Sequence, residues 1–256
     1  MSLDPVDSCQ QVVRRAGQRL RDAGVLPQKV WRRQEFEGEE LEDLLARGRR
    51  QADGLARDIE SYTGCTLEGR RLLDYGCGTG RTAVALASRC EYVYGLDIMP
   101  GVLRKADETA TRLHVKNVEW LDAARLPALA GHYDAVISTW VFQHIPTREG
   151  ERIFAAILDG LAPGGVGAIH FTVRPPRPLA GMAASARAQP RRRLRAAGAY
   201  GYLVMNSYSL NRLGLILAQA GVARWQVLWW YYSAAGAANN GNRYPSATLV
   251  FRKDAG

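Results

Sequence analysis

A chain of 256 residues has room for one large α/β domain, or a domain with a small appendage. Its 47% hydrophobic and 23% charged residues are those of an ordinary globular protein, and its formal net charge is +9. A membrane span is excluded on length, since the most apolar stretch, 213–232, is broken by Gln219, Arg224 and Gln226.

The first twenty residues are polar and charged and lack an apolar signal core, so a cytoplasmic protein is expected. Residues 6–23 and 37–62 read as helices. In the second, Leu41, Leu44, Leu45, Leu55 and Ile59 recur at helical spacing among many charges. Residues 1–66 are therefore expected to form an N-terminal helical cap, and 67–256 the main domain. Strand and helix patterns alternate next. Strands are predicted over Arg71–Tyr75, Tyr92–Asp97, Val118–Leu121, Tyr133–Thr139 and Val166–Val173. Helices are predicted over Thr79–Ser88, Pro100–Leu113 and Glu149–Leu161, the last stopped by Pro163-Gly164-Gly165.

Regularity ends at Arg174. Pro175, Pro176, Pro178 and Pro190, many small residues and the run Arg191-Arg192-Arg193-Leu194-Arg195 mark 174–206 as a lid insertion after strand 5. A last helix is expected over Ser209–Ala220. Strands over Trp225–Tyr232 and Ala247–Arg252 follow, antiparallel because a turn-rich stretch joins them directly. The expected fold is a doubly wound, mostly parallel seven-stranded sheet, Rossmann-like, with an antiparallel last strand.

Charge is spread unevenly. Between Gly160 and Asp254 the chain carries 11 Arg and one Lys and no Asp or Glu. Such asymmetry points to an anionic partner or to a solvated basic surface. Cys9, Cys65, Cys77 and Cys90 form no C-x-x-C pair and show no zinc spacing, so reduced thiols and no metal are expected.

The sharpest signal is Asp74-Tyr75-Gly76-Cys77-Gly78-Thr79-Gly80, at the end of a strand and the start of a helix. Glycines there let a ligand approach the backbone with no Cβ in the way. A dinucleotide fingerprint, G-x-G-x-x-G, would need its third glycine at position 81, where Arg81 stands. Asp74 precedes the loop. A carboxylate repels pyrophosphate and accepts from an ammonium group, which favours a ligand with an amino-acid tail. Asp97 and Asp122 close the next two strands. Three acids at the carboxyl ends of successive strands share the edge where open α/β sheets bind ligands.

Together with Tyr133-Asp134-Ala135-Val136-Ile137-Ser138 and Leu161-Ala162-Pro163-Gly164-Gly165, these motifs closely resemble those of class I S-adenosylmethionine-dependent methyltransferases, over residues 70–173. The resemblance implies S-adenosyl-L-methionine as cofactor. It would set Asp74 near the methionine amino group, and Gly76, Cys77, Gly78 and Gly80 against the ligand. Asp97, followed by Ile98, would hold the ribose hydroxyls. Asp122 and Ala123 would contact adenine, and Ser138 to Trp140 would border the methionine and the incoming substrate. The segment Met205–Asn211 is similar to one in methyltransferases acting on sugars or glycans.

Methyl transfer to a hydroxyl gains from a general base. His144, after the fourth strand, is the first candidate and His170, inside the fifth, the second; local packing is the alternative for both. Trp140, Arg174, Tyr200 and Tyr202 are candidates for the substrate pocket, as is Tyr208, with scattered aromatic packing the alternative for the three tyrosines. The adenine-N6 signature is absent, and so is the Pro-Cys nucleophile of cytosine C5 chemistry. No nucleic-acid-binding module is visible. The expected partner is a small molecule, an anionic one suiting the basic stretch, with methylation at a hydroxyl of a natural product, sugar or lipid-linked glycan. An RNA or protein methyltransferase using the Arg-rich lid and a non-catalytic cofactor-binding scaffold stay open, as does a homodimer.

Overall fold

The computed structural model describes residues 39–173, 206–232 and 244–256. The helix expected over 6–23, most of the lid and the turn before the last strand lie outside the described residues.

Helix α1 spans Glu39–Thr63. Its Leu44, Leu55 and Ile59 are buried as the spacing predicts, together with Ala52 and Ala56. This stripe packs through Ala83 and Leu86 onto Leu72, Val93, Ala135 and Ile137 of the sheet. The small alanines let helix and sheet approach closely. Gly48 goes further: a Cβ there would stand 2.4 Å from the carbonyl oxygen of Arg81.

The strands are β1 (Arg71–Tyr75), β2 (Tyr92–Asp97), β3 (Val118–Asp122), β4 (Tyr133–Ser138), β5 (Leu161–Thr172), β6 (Arg224–Tyr232) and β7 (Tyr244–Arg252). They form one sheet in the order β3-β2-β1-β4-β5-β7-β6. The first five are parallel, and β7 runs antiparallel between β5 and β6. The expected Rossmann-like sheet with its antiparallel last strand is thus observed. Alternate residues serve opposite faces. Helix α3 spans Pro100–Arg112; in β4, Val136 joins the core under α4 (Thr147–Gly160) and α5 (Leu210–Gln219), while Ala135 and Ile137 join the core under α1 and α2 (Arg81–Leu86). The chain order reverses between β1 and β4, and that reversal opens a crevice at their carboxyl ends.

Some boundaries depart from the sequence expectation. Helix α2 starts at Arg81 rather than Thr79, because Gly78 and Gly80 hold positive φ of 57° and 75°. Helix α4 stops at Gly160, before the Pro-Gly-Gly run, because Leu161 is already extended and paired with Tyr133. Pro163-Gly164-Gly165 then lies within β5, beside a register shift. Asp122 starts an unexpected 3-10 turn over Ala123–Leu129 by accepting from Ala124 N. Trp229 of β6 is half-exposed. Among the described residues no helix is long and apolar enough to cross a membrane.

Candidate functional site

The crevice is floored by the glycine loop. Gly76 N and Cys77 N both donate to Leu96 O, at 2.7 and 2.9 Å, which folds the loop back over β2. All three loop glycines have positive φ, but their surroundings differ. A Cβ at Gly76 would lie 2.2 Å from Val141, and one at Gly80 would lie 2.5 Å from Trp120. A Cβ at Gly78 would meet no atom within 4 Å. The protein fills the space beside two glycines and leaves it open at the third. Trp120 is wedged between Gly80 and Gly95, where a Cβ would come within 2.4 Å of its ring, and its buried Nε1 has no hydrogen-bond partner.

The three acids gather around this floor. Asp97 Oδ2 accepts from Gly78 N at 3.1 Å and Oδ1 from Met99 N at 3.0 Å. Burial raises its carboxyl above the usual range, and the backbone donors oppose that rise. Asp122 stands opposite Asp97 in the β2–β3 register and is exposed. Asp74 is buried in β1. Its desolvation, with Asp97 nearby, pushes the carboxyl up to about 7, while Arg81 pulls it down. Ile98 and Ala123 pack at the ends of these strands, Ala123 fully buried. Cys77 is buried in the loop, and desolvation pushes its thiol up, so it is held as an unreactive thiol.

Helix α1 reaches the same edge through Gln51. Its Oε1 accepts from Arg81 Nη2 at 2.9 Å and from Thr82 Oγ1 at 3.2 Å. Its Nε2 donates to Thr139 Oγ1 at 2.8 Å, just past β4. One amide thus ties the start of α2 to the end of β4. Arg81 is thereby held within the field of Asp74, with Arg47 also nearby.

The far wall lies where β4 and β5 end. Ser138 is fully buried and donates from Oγ to Tyr75 O at 2.8 Å, so its hydroxyl braces β1 against β4. Trp140 has φ +62° and is 40% exposed, and its ring lies against His170, centroids 4.3 Å apart. Burial drives His170 down to about 4, and neither ring nitrogen has a hydrogen-bond partner. His144 ends a short 3-10 turn, with its Nε2 3.4 Å from the side-chain amide of Gln143 and its buried Nδ1 unpartnered. Burial lowers its pKa as well. Tyr208 is wholly buried and shares its hydroxyl between the carbonyls of Phe142 and Ile145, a packing role.

The structure therefore brings Asp74, Gly76, Cys77, Gly78, Gly80, Asp97, Asp122, Ser138, Trp140, His144 and His170 to one edge of the sheet. Arg174, Tyr200 and Tyr202 lie outside the described residues. Sequence reasoning missed Gln51, Arg81 and Trp120. Gln51 carried no usable signal, being one polar residue on a charged helix. Trp120 carried none either, because neither Gly80 nor Gly95 says in sequence which side chain fills the space beside it.

Residues 72–165 match the family model described as a methyltransferase domain. An uncharacterized methyltransferase of Mycobacterium tuberculosis is 41% identical over 109 residues, covering 41% of this chain and 51% of that protein. A ubiquinone biosynthesis O-methyltransferase of Marinobacter nauticus is 31% identical over 104 residues, covering 39% and 43%. The chain thus spans about half the length of these curated relatives. Among solved structures, magnesium protoporphyrin IX methyltransferase of Synechocystis, with bound SAH, has the same fold. It aligns at TM-score 0.59 and 20% identity, over 92% of this chain and 98% of that one.

Proposed function

We propose that this chain is a class I S-adenosylmethionine-dependent methyltransferase and that it transfers a methyl group to a hydroxyl oxygen of a small molecule. The observation that carries the donor site is the setting of Asp97 beside Gly78. Two backbone N–H groups fix the carboxylate at the sheet's carboxyl edge, next to the one loop glycine with open space before it.

The residues present fit the donor. Gly78 admits a ligand against its backbone, and Asp97 offers its remaining lone pairs to a ribose diol. Asp74 and the neighbouring Arg81 suit the ammonium and carboxylate of an amino-acid tail. Asp122, exposed opposite Asp97, suits the adenine amino group. The donor supplies a methyl group on a sulfonium, already activated for displacement. The chain's residues must hold the acceptor in line at about 3 Å and exclude water.

Burial keeps His144 neutral at physiological pH, as a base must be. The Gln143 amide nitrogen lies 3.4 Å from His144 Nε2, the ring nitrogen placed to accept. His144 would take the hydroxyl proton of the acceptor, while the bound donor would supply the methyl group and keep the bonding pair on its sulfur. An oxygen acceptor accords with the O-methyltransferase among the relatives. The Arg-rich stretch suits an anionic group elsewhere on the acceptor.

Two measurements test this. Calorimetry with S-adenosylhomocysteine should show binding that Asp97→Ala weakens. Incubation with methyl-labelled S-adenosylmethionine and metabolite extracts should label a small molecule. Label found only in RNA or protein overturns the acceptor class, and absence of S-adenosylhomocysteine binding overturns the donor site.

A further inference from the structure

His144 rides on a very short piece of structure. The 3-10 turn Phe142–His144 closes its own bonds from His144 N to Val141 O, at 2.9 Å, and from Ile145 N to Phe142 O, at 3.0 Å. A single turn of this kind does not hold itself in water, because it fixes several dihedrals for one or two bonds. Its position is set from outside.

The segment just before α5 sets it. Asn206 donates to Gln143 O twice, from its backbone N at 2.7 Å and from Nδ2 at 3.2 Å. The Tyr208 hydroxyl is shared between Phe142 O and Ile145 O, each at 2.9 Å. The carbonyls on both sides of His144 are thus held by residues 63 to 66 positions away. This clamp is itself anchored to the sheet. Tyr208 N donates to Thr172 O at 2.8 Å, and Tyr208 bridges Val173 in parallel.

Packing accounts for the ring of Tyr208, which meets Phe142 and Phe171 edge-on. It does not account for the hydroxyl. Phenylalanine would fill the same space, and a buried hydroxyl must recover its desolvation through its acceptors. Helix α4 also makes room for it. A Cβ at Gly150 would stand 2.0 Å from the Tyr208 oxygen. Glycine within a helix is destabilising relative to alanine. Here it admits a group whose acceptors are the carbonyls around His144.

We propose that Asn206 and Tyr208 are positioning residues for methyl transfer, fixing the turn that carries His144 at the end of β4. This rests on the reading of His144 as the base. A base acts only within hydrogen-bond reach of the acceptor hydroxyl. A misplacement of about 1 Å costs about 100-fold in rate. Both residues act through backbone carbonyls, so they govern the rate and leave donor affinity alone.

The test follows the histidine ring signals by NMR on the full chain labelled with 13C-histidine. The chain has four histidines, and His144 is identified by the signal lost in His144→Gln. Tyr208→Phe and Asn206→Ala are compared with Tyr133→Phe. That control also removes a buried phenol bonded to a carbonyl, Ile157 O at 2.7 Å, but at the start of β4. In both clamp variants the His144 signal should move, and its titration midpoint should shift from its lowered value toward the ordinary imidazole value as water enters. In Tyr133→Phe neither should change. S-adenosylhomocysteine affinity should stay within about twofold throughout, while label transfer from S-adenosylmethionine to the small-molecule fraction slows at least about tenfold in Tyr208→Phe. Asn206→Ala, which removes one bond of the clamp, decides the matter if Tyr208→Phe does not fold. An unmoved His144 signal in the clamp variants, the same change in Tyr133→Phe, or an unchanged rate in a variant whose His144 signal has moved overturns the proposal. No transfer by the parent chain would sink the methyl-transfer reading instead, and the His144 signals would still show whether the clamp holds the turn.

Discussion

Gln51 donates from Nε2 to Thr139 Oγ1 at 2.8 Å, across 88 positions of sequence. Its other amide atom accepts from Arg81 and Thr82. Helix α1 is therefore bonded to both sides of the crevice, as well as packed on the sheet.

Removing that amide should loosen the site as well as the fold. Gln51→Ala gives up three part-buried hydrogen bonds, each worth about 1 kcal/mol net. A loss of about 2–3 kcal/mol in urea denaturation is expected, with S-adenosylhomocysteine binding weakened several-fold. Unchanged ligand affinity in a destabilised variant would confine Gln51 to a purely structural role.

Asp97 should matter for affinity more than for folding. Asp97→Ala removes hydrogen bonds that a charged acceptor makes at about 1.5–3 kcal/mol each. The expected loss is roughly 10- to 150-fold in S-adenosylhomocysteine binding by calorimetry. A variant binding as tightly as the parent would show that the ribose lies elsewhere.

Two loop glycines should separate packing from ligand approach. Gly80→Ala forces a Cβ to within 2.5 Å of Trp120 at φ +75°, so it should unfold or strongly destabilise the chain. Gly78→Ala meets open space at φ +57° and carries only the backbone strain, about 1–2 kcal/mol. It should stay folded by circular dichroism and lose most of its S-adenosylhomocysteine affinity. Undiminished affinity in Gly78→Ala would place the ligand away from the loop.

Asp74 should give the binding reaction a pH dependence. Its carboxyl titrates near 7 in the folded chain against an ordinary 3.8. The folded state thus holds a proton that the unfolded state has lost, and the group's contribution to stability falls as pH rises from 3.8 through about 7. A bound ammonium favours the carboxylate, so S-adenosylhomocysteine affinity should rise as pH increases through 7. Asp74→Asn should raise the melting temperature of the free chain above pH 7, weaken ligand binding there and flatten its pH profile. A rise in affinity with pH that persists in Asp74→Asn would assign it to another group.

His170 runs the other way. Its folded value near 4 lies below the ordinary 6.5, so its contribution is full above 6.5 and is lost progressively as pH falls toward 4. His170→Gln should reduce the loss of melting temperature between pH 6.5 and 4.5. An identical acid profile in the variant would show that the imidazole is not held neutral.

The sequence determined the sheet and the donor half of the site because both rest on local chemistry. Short apolar runs such as Leu72-Leu73 and Ala135-Val136-Ile137 have no stable place except inside a parallel sheet. Glycines at 76, 78 and 80 after a strand, with acids ending β1, β2 and β3, can be read without knowing any partner. What remained illegible depended on residues far apart in the chain. Nothing in Gly76 or Gly80 says that Val141 and Trp120 fill the space beside them, leaving only Gly78 open. Nothing in Gln51 says that it meets Arg81 and Thr139. His144 and His170 looked alike as candidate bases. Only tertiary packing separated them, by setting Trp140 over His170 and burying both of its nitrogens without partners. Propensity and spacing act over a few residues, whereas desolvation and hydrogen-bond pairing are set by whatever the fold brings alongside.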